Sequence, residues 1–154
     1  MILPIFTRIA SVVLYPFMAV YLHNSKRVRV VVLCNKKILL VRSHFGRQSW
    51  CLPGGGVERG ENPMSAAVRE LYEEVGIKVQ ESDLLCIGQL RLPEKNTWPR
   101  YDTTFYKIDL REQLSPNVTQ WYEIVEAQWF DIDCLPAKIG DSTKAALRLA
   151  NFNK

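Results

Sequence analysis

The stretch Leu52-Pro-Gly-Gly-Gly-Val57-Glu-Arg-Gly-Glu61-Asn62-Pro63-Met-Ser-Ala-Ala-Val-Arg69-Glu70-Leu71-Tyr-Glu73-Glu74-Val75-Gly76-Ile77 decides how this chain is read. Asn62 before Pro63 has the form of an N-cap with proline at the first helical position, and Gly76 is a natural C-terminal stop. The spacing therefore predicts a helix over Pro63 to Val75. On it, Glu70 and Glu74 stand at i,i+4 and Glu70 and Glu73 at i,i+3, so the three carboxylates share one face. Carboxylates that close repel unless a cation lies between them. Hard ions such as Mg²⁺ or Mn²⁺ prefer oxygen ligands of this kind and keep room for phosphate oxygens.

Upstream, Leu52 to Val57 cannot be regular helix, because its glycines favour turns and allow the backbone to approach a ligand. Such a loop can offer carbonyls to a metal or amides to a phosphate. Glu61 precedes the helix, where the positive end of the macrodipole favours a carboxylate. Arg69 is placed at i,i+4 to pair with Glu73.

The pattern Gly55-x5-Glu61-x7-Arg69-Glu70-Leu71-x-Glu73-Glu74-x-Gly76-Ile77 resembles the signature of the Nudix hydrolases at every defined position. The resemblance implies an α/β fold, an α/β/α sandwich around a mixed β-sheet, with Mg²⁺ or Mn²⁺ and hydrolysis of a nucleoside diphosphate linked to another group. Carried over residue by residue, it implies Gly55, Glu70, Glu73 and Glu74 as metal ligands and Arg69 and Glu61 as the supporting pair. Catalysis would then rest on Glu61, Arg69, Glu70 and Glu123, with Glu70 or a downstream glutamate such as Glu123 taking the proton from water; Glu126 is a further candidate. The substrate is expected to be a small-molecule nucleotide: ADP-ribose-like, a nucleotide sugar, a dinucleoside polyphosphate or a nucleoside triphosphate. Taken singly, an acidic helix is usually a solvated face and a glycine run only a turn. Their combination at fixed spacing, with Leu71 and Ile77 as packing positions, favours a site. The alternative of another class is a nucleotide-binding regulatory module of the same fold without turnover.

At 154 residues and 47% hydrophobic composition, the chain can bury one domain core. Its net charge of +4 is unevenly spread. Residues 1–57 carry eight basic residues and no acid, whereas residues 58–154 hold all 16 acids against 12 bases. A positive wall facing the carboxylates would attract a polyphosphate. Arg42 and Arg47, on the strand and loop leading into the glycine run, are the candidate phosphate contacts, while Lys36 and Lys37 read as a hairpin turn. No RNA-binding motif is present, so nucleic acid is not an expected partner. Trp98 and Tyr101, in a long polar loop, are the candidate base-stacking residues, along with Phe45 and Trp50; packing is the commoner role of any one aromatic. Cys34, Cys51, Cys86 and Cys134 are far apart without zinc spacing and read as buried reduced thiols of a cytoplasmic protein.

Strands are expected over Val28 to Leu33 and Ile38 to Val41 as a hairpin, then over Leu84 to Leu92, Thr103 to Leu110 and Ala127 to Phe130. A closing helix is expected from Asp141 to Ala150. Residues 26–154 form the expected Nudix domain, and residues 1–25 an extra N-terminal apolar helix. Met1 to Leu22 has a single charge, Arg8, and Pro16 should kink it. The uncharged run after Arg8, at 14 residues, is short for a spanning helix, and no basic n-region precedes it as in a signal peptide. Three readings stand: a helix packed on the domain or in a homodimer, a peripheral membrane contact backed by Lys26, Arg27 and Arg29, or a true anchor.

Overall fold

The structure is a computed structural model that describes residues 19–43, 49–95, 97–119 and 123–152. Arg47, Phe45 and residues 1–18 of the expected N-terminal helix lie outside the described residues; residues 19–22 are helical. Among the described residues, no helix is long and apolar enough to cross a membrane.

The chain runs β1 (Lys26–Cys34), β2 (Lys37–Ser43), β3 (Trp50–Cys51), α1 (Pro63–Val75), a 3-10 turn (Glu81–Asp83), β4 (Leu85–Leu92), β5 (Tyr101–Asp109), β6 (Ile124–Asp131) and α2 (Asp141–Leu149). The β-branched run of β1 and the apolar run of β2 form a hairpin, closed by Asn35 and Lys36, both at positive φ. A two-residue loop of that handedness matches the twist of its strands. The six strands make one sheet in the order β3-β2-β1-β5-β4, with β6 on β2. It is a mixed sheet: β1 and β5 run parallel, and the other named pairs run antiparallel.

The central strands are buried on both faces, and each face carries one helix. Val28, Val30, Val32, Leu39 and Val41 pack with Ala66, Ala67, Leu71 and Val75 of α1. Val31, Leu33, Ile38, Leu40 and Phe105 pack with Ala145, Ala146 and Leu147 of α2. Period-2 alternation along β1 and β2 sends neighbouring side chains to opposite cores, which yields the expected α/β/α sandwich.

Helix α1 has the predicted bounds because its ends are encoded locally. The Asn62 side chain accepts the Met64 N–H at 2.9 Å, and Gly76, at φ 69°, donates its N–H to the Tyr72 carbonyl. Elsewhere the boundaries move. Strand β6 begins three residues earlier than expected, at Ile124, and β5 begins at Tyr101, so that Tyr101 belongs to a strand and not to the loop. The reading of four buried cysteines is corrected: only Cys34 is buried, Cys51 is half-buried, and Cys86 and Cys134 are exposed. Cys86 lies on β4, an end strand of the sheet order, and Cys134 in the turn after β6, so neither has a second layer over it.

Candidate active site

The site grows from a fork in the sheet. Strands β1 and β2 pair only at Leu33 with Ile38 and Cys34 with Lys37. Towards the other end of β1 they diverge, and the glycine loop fills the gap: Val28 N–H donates to the Gly55 carbonyl, Val30 N–H to Pro53 and Val57 N–H to Lys26, each at 2.9 Å. Gly54 adopts φ +130°, and a Cβ there would stand 2.4 Å from the Val28 carbonyl oxygen. Only glycine fits that position. At Gly55 a Cβ would instead fall 2.4–2.6 Å from the Glu70 carboxylate. The missing side chain is the space that the carboxylate occupies.

From α1, Glu70 and Glu74 reach this loop and are buried at 8% and 4% exposure. Glu74 accepts the Gly54 N–H at 2.7 Å. Burial pushes its carboxyl up to about 8, against the opposing charge of Arg29. Burial also raises Glu70, with Arg69 opposing.

Arg69 organises the outer side. Its Nε and Nη2 donate to the two oxygens of Glu61 at 2.9 and 3.0 Å, and Nη1 donates to Glu70 at 3.1 Å and Glu73 at 2.9 Å. Nη2 also donates to the Gly56 carbonyl at 2.9 Å. The guanidinium fork thus commits all its donors, joining the loop before the helix to the helix and to the glycine run. The hydrogen bond to Glu61 contributes most to raising the pKa of Arg69, and Arg69 in turn lowers that of Glu61.

The structure therefore brings Gly55, Glu61, Arg69, Glu70, Glu73 and Glu74 together. Glu123, just before β6, lies within the electrostatic reach of Glu74 and Arg27. Arg42 is engaged elsewhere than expected. It bonds Glu126 at 2.6 Å across the β2–β6 pair and lies over the Trp50 ring. Trp98 is exposed beside His23, their ring centroids 6.0 Å apart. Tyr101 lies beneath the Arg27 guanidinium, 5.9 Å from its ring centroid.

Arg27 and Arg29 are the residues that sequence reasoning passed over in favour of Arg42 and Arg47. They alternate with Val28 and Val30 of the first core, so they share the face of Val31 and Leu33. The signal was there in Arg27-Val-Arg29-Val30, two charges on one face of a strand that flanks the glycine loop.

A model of the NUDIX domain matches residues 24–150. The chain belongs to the Nudix family. Human diphosphoinositol polyphosphate phosphohydrolase 3-alpha is 35% identical over 101 residues, covering 63% of this chain and 56% of its own length. An RNA pyrophosphohydrolase of Psychromonas ingrahamii is 45% identical over 60 residues, 38% of this chain and 33% of its own. The matches thus span from a third to just over half of the length of these curated relatives. The MutT NUDIX hydrolase from Burkholderia pseudomallei shares the Nudix fold, with a TM-score of 0.73 at 22% identity over 82% of this chain and 98% of that one.

Nudix hydrolases generally use divalent metal ions. Among the described residues, no group of three acidic, histidine or cysteine side chains stands together in an arrangement that would hold a metal ion. The donor chemistry nevertheless fits a hard cation. Glu73 raises the pKa of Glu70, and Glu70 and Glu123 raise that of Glu74, so the carboxylates repel one another at the glycine loop. The Gly55 carbonyl, bonded once to Val28, keeps a second lone pair.

A pH dependence follows for the Nudix site. Burial holds the Glu74 pKa near 8, so a cation taken up on its carboxylate would have to displace a proton below about pH 8. Affinity for a divalent cation bound there is expected to rise with pH up to about 8, checked by calorimetry in buffers of different ionisation heat. The sign for stability is opposite. A carboxyl whose pKa is raised from 4.5 to about 8 on folding costs the metal-free fold stability as pH rises through that window. Metal affinity independent of pH there would contradict the role given to Glu74.

Proposed function

We propose that this chain is a metal-dependent pyrophosphohydrolase that cleaves a nucleoside diphosphate linked to another moiety. The observation that carries the reading is the pair of buried carboxylates, Glu70 and Glu74, set against a glycine loop in which a side chain at Gly54 or Gly55 would clash. Mg²⁺ or Mn²⁺ would be held by Glu70, Glu73, Glu74 and the Gly55 carbonyl, with residues 26–154 as the catalytic domain. A divalent cation supplies Lewis acidity at the phosphate oxygens and lowers the pKa of water.

The chain's own groups account for the remaining tasks. Arg69 and Glu61 fix the carboxylates of the helix relative to the loop, so that little reorganisation accompanies reaction. Glu123 makes no hydrogen bond among the described residues, whereas Glu70 is bonded to Arg69. We therefore assign to a Glu123 carboxylate oxygen the proton of the attacking water. Glu123→Gln is expected to lower kcat by about a hundredfold, with metal affinity and KM near wild type. An unchanged kcat returns the role to Glu70.

The test of the whole reading is a substrate panel. Purified protein with Mg²⁺ or Mn²⁺ is incubated with ADP-ribose, a nucleotide sugar, a dinucleoside polyphosphate and a nucleoside triphosphate. A diphosphoinositol polyphosphate and an RNA bearing a pyrophosphate group are added because relatives carry those names. Products are separated by chromatography. Turnover by the wild type alone, against a Glu74→Gln blank, supports hydrolysis; ligand binding without turnover would favour the regulatory module.

A further inference from the structure

We infer that the surface built from residues 19–25, the arm that leads into β1, and Trp98 of the β4–β5 loop docks on an anionic lipid bilayer. Residues 19–22 are helical, and the His23 N–H donates to the Ala19 carbonyl at 3.0 Å, so the helical turn runs on to His23. Ala19 is buried, whereas Val20 and Tyr21 are 67% and 74% exposed. Val20 stands one turn before His23, and the His23 ring lies beside that of Trp98, itself 54% exposed. The Tyr21 hydroxyl stands 3.9 Å from where a Cβ on Gly56 of the glycine loop would be. Exposed apolar residues are ordinary when scattered, as Tyr72, Leu85 and Val125 are on α1, β4 and β6. Val20, Tyr21 and Trp98 are instead gathered on a support that hydrogen bonds hold in place. The Asn24 N–H donates to the Arg100 carbonyl at 2.7 Å, the Arg100 N–H to His23 Nδ1 at 3.2 Å and the Asp102 N–H to the Ser25 carbonyl at 3.0 Å. Arg91 donates to the Asn24 side chain at 2.5 Å. Arm and loop thus form one surface, which loses little conformational freedom on docking.

The chemistry of the patch matches lipid. Tryptophan and tyrosine, apolar in body and polar at one end, are the side chains that settle at headgroup level. The rim is basic: Lys26 and Lys95 are exposed and make no ion pair among the described residues, and Arg100 joins arm to loop. The acids within residues 19–30 and 93–102 are Glu94 and Asp102, and both are already paired, with Arg148 and Arg91. Towards the glycine loop, the exposed Glu58 is followed by the exposed Arg59. Positive charge around an apolar patch complements anionic headgroups. Residues 1–18, which enter the patch at Ala19, carry a single charge, Arg8, and no acid. An apolar patch with a basic rim, continued by an apolar segment, binds a bilayer by burial and by charge attraction together. Docked in this way, the glycine loop beside Tyr21 would lie next to the headgroups.

The test is flotation of the full chain with vesicles of phosphatidylcholine containing about a third phosphatidylserine, in EDTA so that neither metal nor turnover contributes. The wild type is expected to bind, and to bind about tenfold less to phosphatidylcholine alone or at about 0.5 M salt. Val20→Ser and Trp98→Ala are each expected to lose about fivefold or more in vesicle affinity, and Lys26→Gln combined with Lys95→Gln about tenfold. Trp98→Phe, which keeps an aromatic ring, should lose less and guards against a misfolded Trp98→Ala. Absence of vesicle binding by the wild type overturns the docking surface. Equal binding by all the variants also overturns it, and leaves attachment to residues 1–18 alone. If the patch instead joined two copies of the chain, Val20→Ser and Trp98→Ala would turn a dimer into a monomer in light scattering, and vesicles would bind neither form. Hydrolysis without vesicle binding would sink the docking surface alone, whereas vesicle binding by a chain that hydrolyses no substrate would leave it standing.

Discussion

Glu74→Gln is expected to reduce turnover by about three orders of magnitude while leaving the fold intact or more stable. The two outcomes separate because they come from different properties of one side chain. As a carboxylate, Glu74 is the proposed ligand for the cation; as a buried acid with its pKa near 8, it opposes folding whenever it must ionise. Glutamine keeps the oxygen that accepts the Gly54 N–H, now 2.7 Å away, and removes the charge. Thermal midpoints above about pH 8 should therefore be equal to or higher than those of wild type, while Mg²⁺ no longer shifts them. Glu70→Gln should lose turnover similarly, with a smaller gain in stability because Arg69 already compensates Glu70. Near-normal turnover in both variants would remove the metal-dependent assignment.

Adjacent glycines should fail in different ways. Gly54→Ala forces an L side chain into φ +130° and against the Val28 carbonyl at 2.4 Å, with backbone on both sides of the clash. A loss of about 3 kcal/mol or more is expected, read by denaturant unfolding. Gly55→Ala meets only the Glu70 carboxylate, the end of a side chain that can swing away. That variant should fold, with a modest loss of stability, and should lose metal affinity and turnover to nearly the extent of Glu70→Gln. If Gly54→Ala unfolded at the wild-type denaturant midpoint, the wedge of the glycine loop into the sheet would be misdescribed.

What could be read from the sequence follows how local each determinant is. Helix α1 and its acidic face were legible because cap, proline, stop and i,i+4 spacing all lie within one short segment. The Arg69 cluster was legible in part: Glu61 and Glu73 are near in sequence, but the bond to the Gly56 carbonyl depends on the loop being wedged into the sheet. The ion pair of Arg42 was not legible, because its partner Glu126 lies 84 residues away and is brought opposite only when β6 pairs with β2. Arg27 and Arg29 were overlooked for the converse reason. Nothing nearby in sequence says that at those positions β1 exchanges β2 for the glycine loop as its neighbour. The cysteines were misassigned because burial depends on strand position, and composition does not tell an end strand from a central one.

One bond gives the molecule a temporal order. The Leu52 N–H, at the entrance to the glycine loop, donates to the fully buried Thr143 hydroxyl of α2 across 91 residues. The walls of the site likewise come from strands paired over long separations, β1 with β5 and β2 with β6. Contacts of such high order form late, after the loops between them have been closed. During synthesis the acidic helix therefore emerges after β1, β2 and the glycine loop but before β5, β6 and α2, and the nascent chain carries its carboxylates without an assembled site until those elements follow.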